Sequence, residues 1–97
     1  MTDEARFAPQ LILFGGRRCG RTRRVEGFLS LVLQRRRNHH TFRIYRVVDE
    51  QHPELFEKFR VSRTPTLVVA HEKRVRGRLV QPSGAREIAS FLGPWLR

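Results

Sequence analysis

Between Leu11 and Val32 the hydrophobic periodicity changes once, and the single cysteine of the chain sits at the change. Leu11-Ile12-Leu13-Phe14 is a continuous apolar run closed by Gly15-Gly16, which reads as a buried strand. Val25, Phe28, Leu29 and Val32 then recur at the i, i+3, i+4, i+7 spacing of an amphipathic helix. The chain must therefore turn from strand to helix through Arg17-Arg18-Cys19-Gly20-Arg21-Thr22, and Cys19 falls at the helix start. Backbone N–H groups there lack intrahelical partners, and the helix dipole is positive, so a thiolate is favoured over a thiol. Arg17, Arg18, Arg21, Arg23 and Arg24 add full positive charges. Thiols in such settings have pKa values of roughly 3.5–7.5, against about 8.5 for a free cysteine. Cys19 is expected to be a reactive, partly exposed thiolate.

The first helix is expected to run to about Arg36, with Arg35, Arg36 and Arg37 in the last turn, where cations complement the dipole, and Asn38 as the stop. Thr41 to Val48 is rich in β-branched and aromatic residues, and its Arg43 and Arg46 mark an edge strand. Pro53 suits the first turn of a short helix, roughly Glu54 to Phe59, that buries Leu55, Phe56 and Phe59. Thr64-Pro65-Thr66 leads into a buried strand, Leu67 to Ala70. Arginine alternates with smaller or apolar residues from Arg74 to Val80, as in a strand at the other edge. Ser83 or Gly84 caps a last helix whose Ile88, Phe91, Leu92 and Trp95 pack on the sheet, and Gly93-Pro94 ends it. The order is β-α-β-α-β-β-α.

These 97 residues suit one domain, 1–97, with residues 1–9 as a flexible lead-in. A lone cysteine allows no internal disulfide and suits a reducing compartment. His39, His40, His52 and His71 show no metal-binding spacing, so no metal site is expected. No apolar run approaches the ~18 residues of a membrane span, and the N-terminus has no basic segment followed by an apolar one. A soluble, cytoplasmic protein is expected, with no membrane partner. The net charge of +11, almost all from arginine, attracts anions of any kind: acidic protein surfaces, nucleic acid, anionic lipid or glutathione. It describes association rather than fold.

The element order resembles the thioredoxin-like fold, an α/β architecture with a central four-stranded mixed sheet, over Leu11 to Leu96. Cys19-Gly20-Arg21-Thr22 sits where that family carries its Cys-x-x-Cys motif, and Thr64-Pro65-Thr66 resembles its cis-proline motif. The resemblance implies a cis Thr64–Pro65 bond facing the cysteine, with Arg63, Thr64 and Pro65 lining a substrate groove. Three positions depart from the pattern. Thr22 replaces the resolving cysteine, Leu13 stands where thioredoxins keep a buried acid, and Arg18 replaces the tryptophan before the nucleophile. A dithiol reductase cycle is excluded for want of a second thiol.

Cys-x-x-Thr is similar to the Cys-x-x-Ser of monothiol glutaredoxins. That likeness implies Cys19 as nucleophile, Thr22 as its hydrogen-bond partner, Arg18 and Arg21 as carboxylate binders, and glutathione as co-substrate rather than as a resident cofactor. A second, weaker resemblance, to the circadian KaiB family, rests on the second half of the chain. It implies a non-catalytic or redox-sensing module whose basic face recruits an acidic protein. Nucleic acid is a third class of partner, supported by cation density but by no recognised motif. Val25 stands where a cysteine phosphatase loop needs arginine, and the glycines lack a Gly-Lys-Ser/Thr ending, which excludes both phosphate loops.

Overall fold

The structure, a computed structural model, describes residues 8–16, 19–34 and 40–96. Its elements are strand β1 (Gln10–Gly15), helix α1 (Gly20–Leu33), strand β2 (Arg43–Val48), helix α2 (Pro53–Lys58), strands β3 (Thr66–His71) and β4 (Arg74–Val80), and helix α3 (Ala85–Leu92). The four strands form one mixed sheet in the order β2-β1-β3-β4, with β2 parallel to β1 and the other neighbours antiparallel.

The continuous apolar runs of β1 and β3 are explained by their central places, because residues there are covered on both faces. Leu11, Leu13, Leu67 and Val69 point to one face, where Val25 and Leu29 of α1 and Ile88 and Leu92 of α3 close the larger core. Ile12, Phe14 and Val68 point to the other, where Leu55 and Phe56 of α2 and the following Phe59 and Val61 cover them. Arginines collect on the two edge strands, where side chains reach water. Gly77 of β4 admits the Phe91 ring, since a β-carbon there would lie 3.1 Å from Phe91 Cε1.

Two boundaries are shorter than the sequence implies. Helix α1 ends at Leu33 with Gln34 as its cap; Arg35, Arg36, Arg37 and Asn38, expected in its last turn and stop, fall outside the described residues. Helix α2 ends at Lys58. Phe59 caps it, and Arg60 takes a left-handed conformation (φ 53°) that turns the chain. Val61 N–H and Arg60 N–H then donate to the carbonyls of Phe56 and Glu57, and the Arg78 guanidinium donates to those of Phe59 and Arg60. The last carbonyls of a short helix are thereby satisfied. At the start of α3, Glu87 accepts from the Ser83 backbone and hydroxyl, and these bonds hold its carboxyl below the usual range.

Phe14 is fully buried at the centre of the smaller core, with its ring centroid 5.1 Å from Phe56 in an edge-on pair and 5.4 Å from Phe59. Replacing it with alanine is expected to cost about 3–5 kcal/mol in urea unfolding. A cost below about 1 kcal/mol would show that this core does not anchor β1.

Candidate functional site

The end of β1 and the start of α1 are fixed by one close approach. A β-carbon at residue 15 would stand 2.5 Å from Cγ2 of Thr22, so only glycine lets the first turn of α1 lie against the strand end. Thr22, almost fully buried, accepts a 3.4 Å hydrogen bond from Gly16 N–H. Cys19 is the N-cap of α1, extended at φ −89° and ψ 115°, and its carbonyl accepts from the N–H groups of Thr22 and Arg23 at 3.1 and 3.3 Å. Its side chain is half-buried.

As a thiol the side chain makes no capping hydrogen bond. Ionisation turns the sulfur into a strong acceptor, and the surrounding donors favour that state. The Thr22 hydroxyl has the largest effect in lowering the Cys19 pKa, the Thr22 N–H comes next, partial burial opposes both, and the Arg21 N–H and guanidinium charge act least. Contact hydrogen bonds at the helix start thus act before charge, and Arg21 is the described arginine whose charge adds to them. Arg21, Arg23 and Arg24 are exposed, so water and salt screen their charges, whereas hydrogen bonds act at contact. Arg17, and Arg18 with its expected substrate-binding role, lie outside the described residues.

The Thr64–Pro65 peptide bond is cis. The Thr66 hydroxyl donates to the Arg63 carbonyl at 2.6 Å, and Gln81 donates from its backbone to Pro65 and from its side chain to Thr64, at 2.8 and 3.1 Å. The loop so held faces the cysteine across Gly16: a β-carbon there would lie 3.3 Å from Cys19 Cβ and 3.9 Å from Thr64 Oγ1.

Two grooves flank this meeting point. One, of about 450 Å³, contains Cys19 and Thr22 and is floored by Leu13 and Gly15. Glu26 and Arg46 close its far end, paired at 2.6 Å. The other, of about 260 Å³, brings Arg21 together with Pro65. Arg63 is exposed and lines neither groove. Sequence reasoning missed Glu26, Arg46 and Gln81. Glu26 was accessible to it, since it lies four residues after Thr22 and hence on the same helix face. Arg46 and Gln81 reach the site only through strand register and a turn. Among the described residues no group of histidine, cysteine, aspartate and glutamate is arranged to hold a metal, and no helix is long and apolar enough to cross a membrane.

Solved structures share this fold. Trxlp from Edwardsiella tarda superposes with a TM-score of 0.80 at 20% identity, covering 97% of this chain and 87% of that one. The germline-specific thioredoxin Deadhead from Drosophila melanogaster gives 0.81 at 14% identity, again over 97% and 87%. Thioredoxin from Fasciola hepatica gives 0.77 at 15% identity, over 96% and 86%. No family model and no curated protein matches the sequence. The fold is thioredoxin-like, with three helices on a four-stranded mixed sheet.

Because the folded-state pKa of Cys19 is lowered, its thiolate persists below the ordinary thiol range and fades only as pH falls through the lowered value. Thr22→Val is expected to raise the midpoint of the pH profile of iodoacetamide alkylation and to slow labelling several-fold at neutral pH. Gly15→Ala, which displaces Thr22, moves it the same way, and Arg21→Gln moves it less. An Arg21→Gln shift larger than that of Thr22→Val would reverse the assignment of cause.

Proposed function

We propose that this protein is a monothiol exchange protein in which Cys19 is the nucleophile and Thr22 holds its thiolate. The observation that carries the reading is the Thr22 hydroxyl, which stands in the first turn of α1 where it favours the charged sulfur of a half-buried, groove-lining cysteine. The thioredoxin-like fold of the solved neighbours agrees with thiol chemistry at this turn.

The Cys19 thiolate attacks one sulfur of a disulfide R–S–S–R′. The S–S bond breaks, Cys19–S–S–R forms, and R′–S⁻ leaves with the electron pair and takes a proton from water. The chain has one cysteine, so no internal thiol can displace R. A second, external thiolate R″–S⁻ attacks the R sulfur, forms R–S–S–R″ and restores the Cys19 thiolate. Glutathione is the small thiol we assign to this step, with the cis-proline loop at Thr64 and Pro65 as the surface against which the R group lies. Arg21 borders that surface, and Arg63 is the exposed residue that precedes it. A second reading, association with an acidic protein partner, is favoured by the exposed arginines of α1, β2 and β4.

Reduced protein mixed with oxidised glutathione is expected to gain one glutathione at Cys19 by mass spectrometry and to lose it when reduced glutathione is added; Cys19→Ser gains none. If the native protein gains no adduct under conditions where denatured protein does, the exchange reading fails and the binding reading stands.

A further inference from the structure

Strand β2 lies at the edge of the sheet, and its outer side pairs with no other strand among the described residues. The N–H groups of Arg43 and Asp49 donate towards β1, to the carbonyls of Pro9 and Gly15. Backbone direction alternates along a strand, so Arg43, Tyr45 and Val47 spend their groups on β1 while Ile44 and Arg46 aim theirs outward. Side chains alternate as well. Ile44 and Arg46 share a face with Leu11 and Leu13, and Tyr45 shares the other with Ile12. Ile44 and Tyr45 are 50% and 45% exposed, so the open edge carries an uncovered apolar group on each face. Beside Ile44 an apolar groove of about 350 Å³ runs along α1, lined by Leu13, Leu29 and Leu33.

The two edges of the sheet are finished differently. On β4, Arg76 is an extra residue against Val69 and Ala70, a bulge that bends the strand, with Arg74 and Arg78 on either side of it. That edge is blunted against pairing. Strand β2 keeps an unbroken register with β1 and contains no proline, and its Arg46 is neutralised by Glu26 at 2.6 Å.

We propose that the β2 edge is a self-association site, at which two copies of this chain pair antiparallel about a two-fold axis through Tyr45. The occupant is set by the self-complementarity of the strand. In this register Ile44 and the partner's Arg46 exchange backbone hydrogen bonds, as do Arg46 and the partner's Ile44, so every outward group of the two residues is used. Tyr45 meets the partner's Tyr45. Arg43 stands opposite the partner's Val47 and diagonal to that tyrosine ring, whose face attracts a cation. No arginine opposes an arginine. An axis at Arg46 would set Arg46 against the partner's Arg46 and call on Val48, whose carbonyl already accepts from the N–H groups of Gln51 and His52. An axis at Ile44 would call on Phe42, which precedes the strand. One short strand makes a small, concentration-dependent contact, in the class under about 1,200 Å².

Sedimentation of the full chain tests this in reductant, so that no Cys19 disulfide imitates the pair, from about 10 µM to about 1 mM protein. The mass is expected to rise towards that of two chains, and further as salt is raised, because two copies of net charge +11 repel until screened. Tyr45→Lys sets lysine against lysine and is expected to weaken association roughly tenfold or more. Leu31→Lys, the same charge change at an exposed apolar position of α1, leaves it unchanged. In a Cys19→Ser background, Tyr45→Cys is expected to oxidise with diamide to a linked dimer, since directly opposed residues at that position stand about 4.5 Å apart. Ile44→Cys, roughly 7–8 Å from its own copy, links about tenfold more slowly.

A monomer at every concentration overturns the proposal, as does equal weakening by Tyr45→Lys and Leu31→Lys. Hydrogen exchange at the Ile44 and Arg46 amides then names what takes the edge instead. Protection already present in the monomer assigns it to the chain itself, and protection gained only with an acidic pentapeptide at low salt assigns it to a partner strand. Faster linking of Ile44→Cys than of Tyr45→Cys moves the axis and overturns the register.

Discussion

Thr22 occupies the space that a side chain at residue 15 would need, and the site is built outward from that contact. Its methyl group presses on the end of β1, and its hydroxyl accepts from Gly16 N–H while facing the Cys19 sulfur. A hydroxyl has one hydrogen to give and lone pairs to receive, so both roles fit one oxygen. The Gly15-Gly16 pair thus has a reason beyond turn flexibility. The first glycine clears room for Thr22, and the second supplies the N–H that orients it.

That contact is reliable only because the elements around it cannot drift. Strand β1 is central in the sheet and buried on both faces, so the point where the chain leaves it for α1 is set by two cores at once. The opposing loop is carried by β3, the other central strand, and by Gln81 at the end of β4. The cysteine and the cis-proline loop therefore hang from neighbouring strands paired antiparallel from Gln10–Ala70 to Phe14–Thr66. Rigid strands hold the reacting geometry, while the groove walls come from a helix face and a turn whose residues can change without disturbing the sheet.

Much of this was legible in the sequence because it depends on local periodicity. The buried run Leu11 to Phe14, the helical spacing of Val25 and Leu29, and the Ile88 and Leu92 stripe are each set by neighbours within two turns, and each lies where its pattern places it. What was illegible depends on distances across the fold. Thr22 has a larger effect on the thiolate than Arg21 because its hydroxyl is turned inward while Arg21, Arg23 and Arg24 are exposed, a difference of direction that composition does not encode. The tie between Gln81 and Thr64 joins positions 17 residues apart through a residue whose left-handed turn has no glycine, asparagine or aspartate to announce it.

Leu13 and Arg46 are directly paired in the β1–β2 register, so the cationic strand position faces an apolar floor. Arg46 instead reaches Glu26, on the helix above the strand, and the carboxylate in the Cys19 groove is delivered by α1 rather than by the sheet. That carboxylate is partly exposed and already neutralised by its partner, so it opposes the thiolate less than an unpaired charge in the same place would. With one cysteine, a mixed disulfide on Cys19 lasts until an outside thiol arrives. On the proposed chemistry, selectivity must then come from what binds beside the sulfur rather than from a second sulfur, and the exposed Arg21 and Arg24, which form no ion pair among the described residues, line the groove that does not contain Glu26.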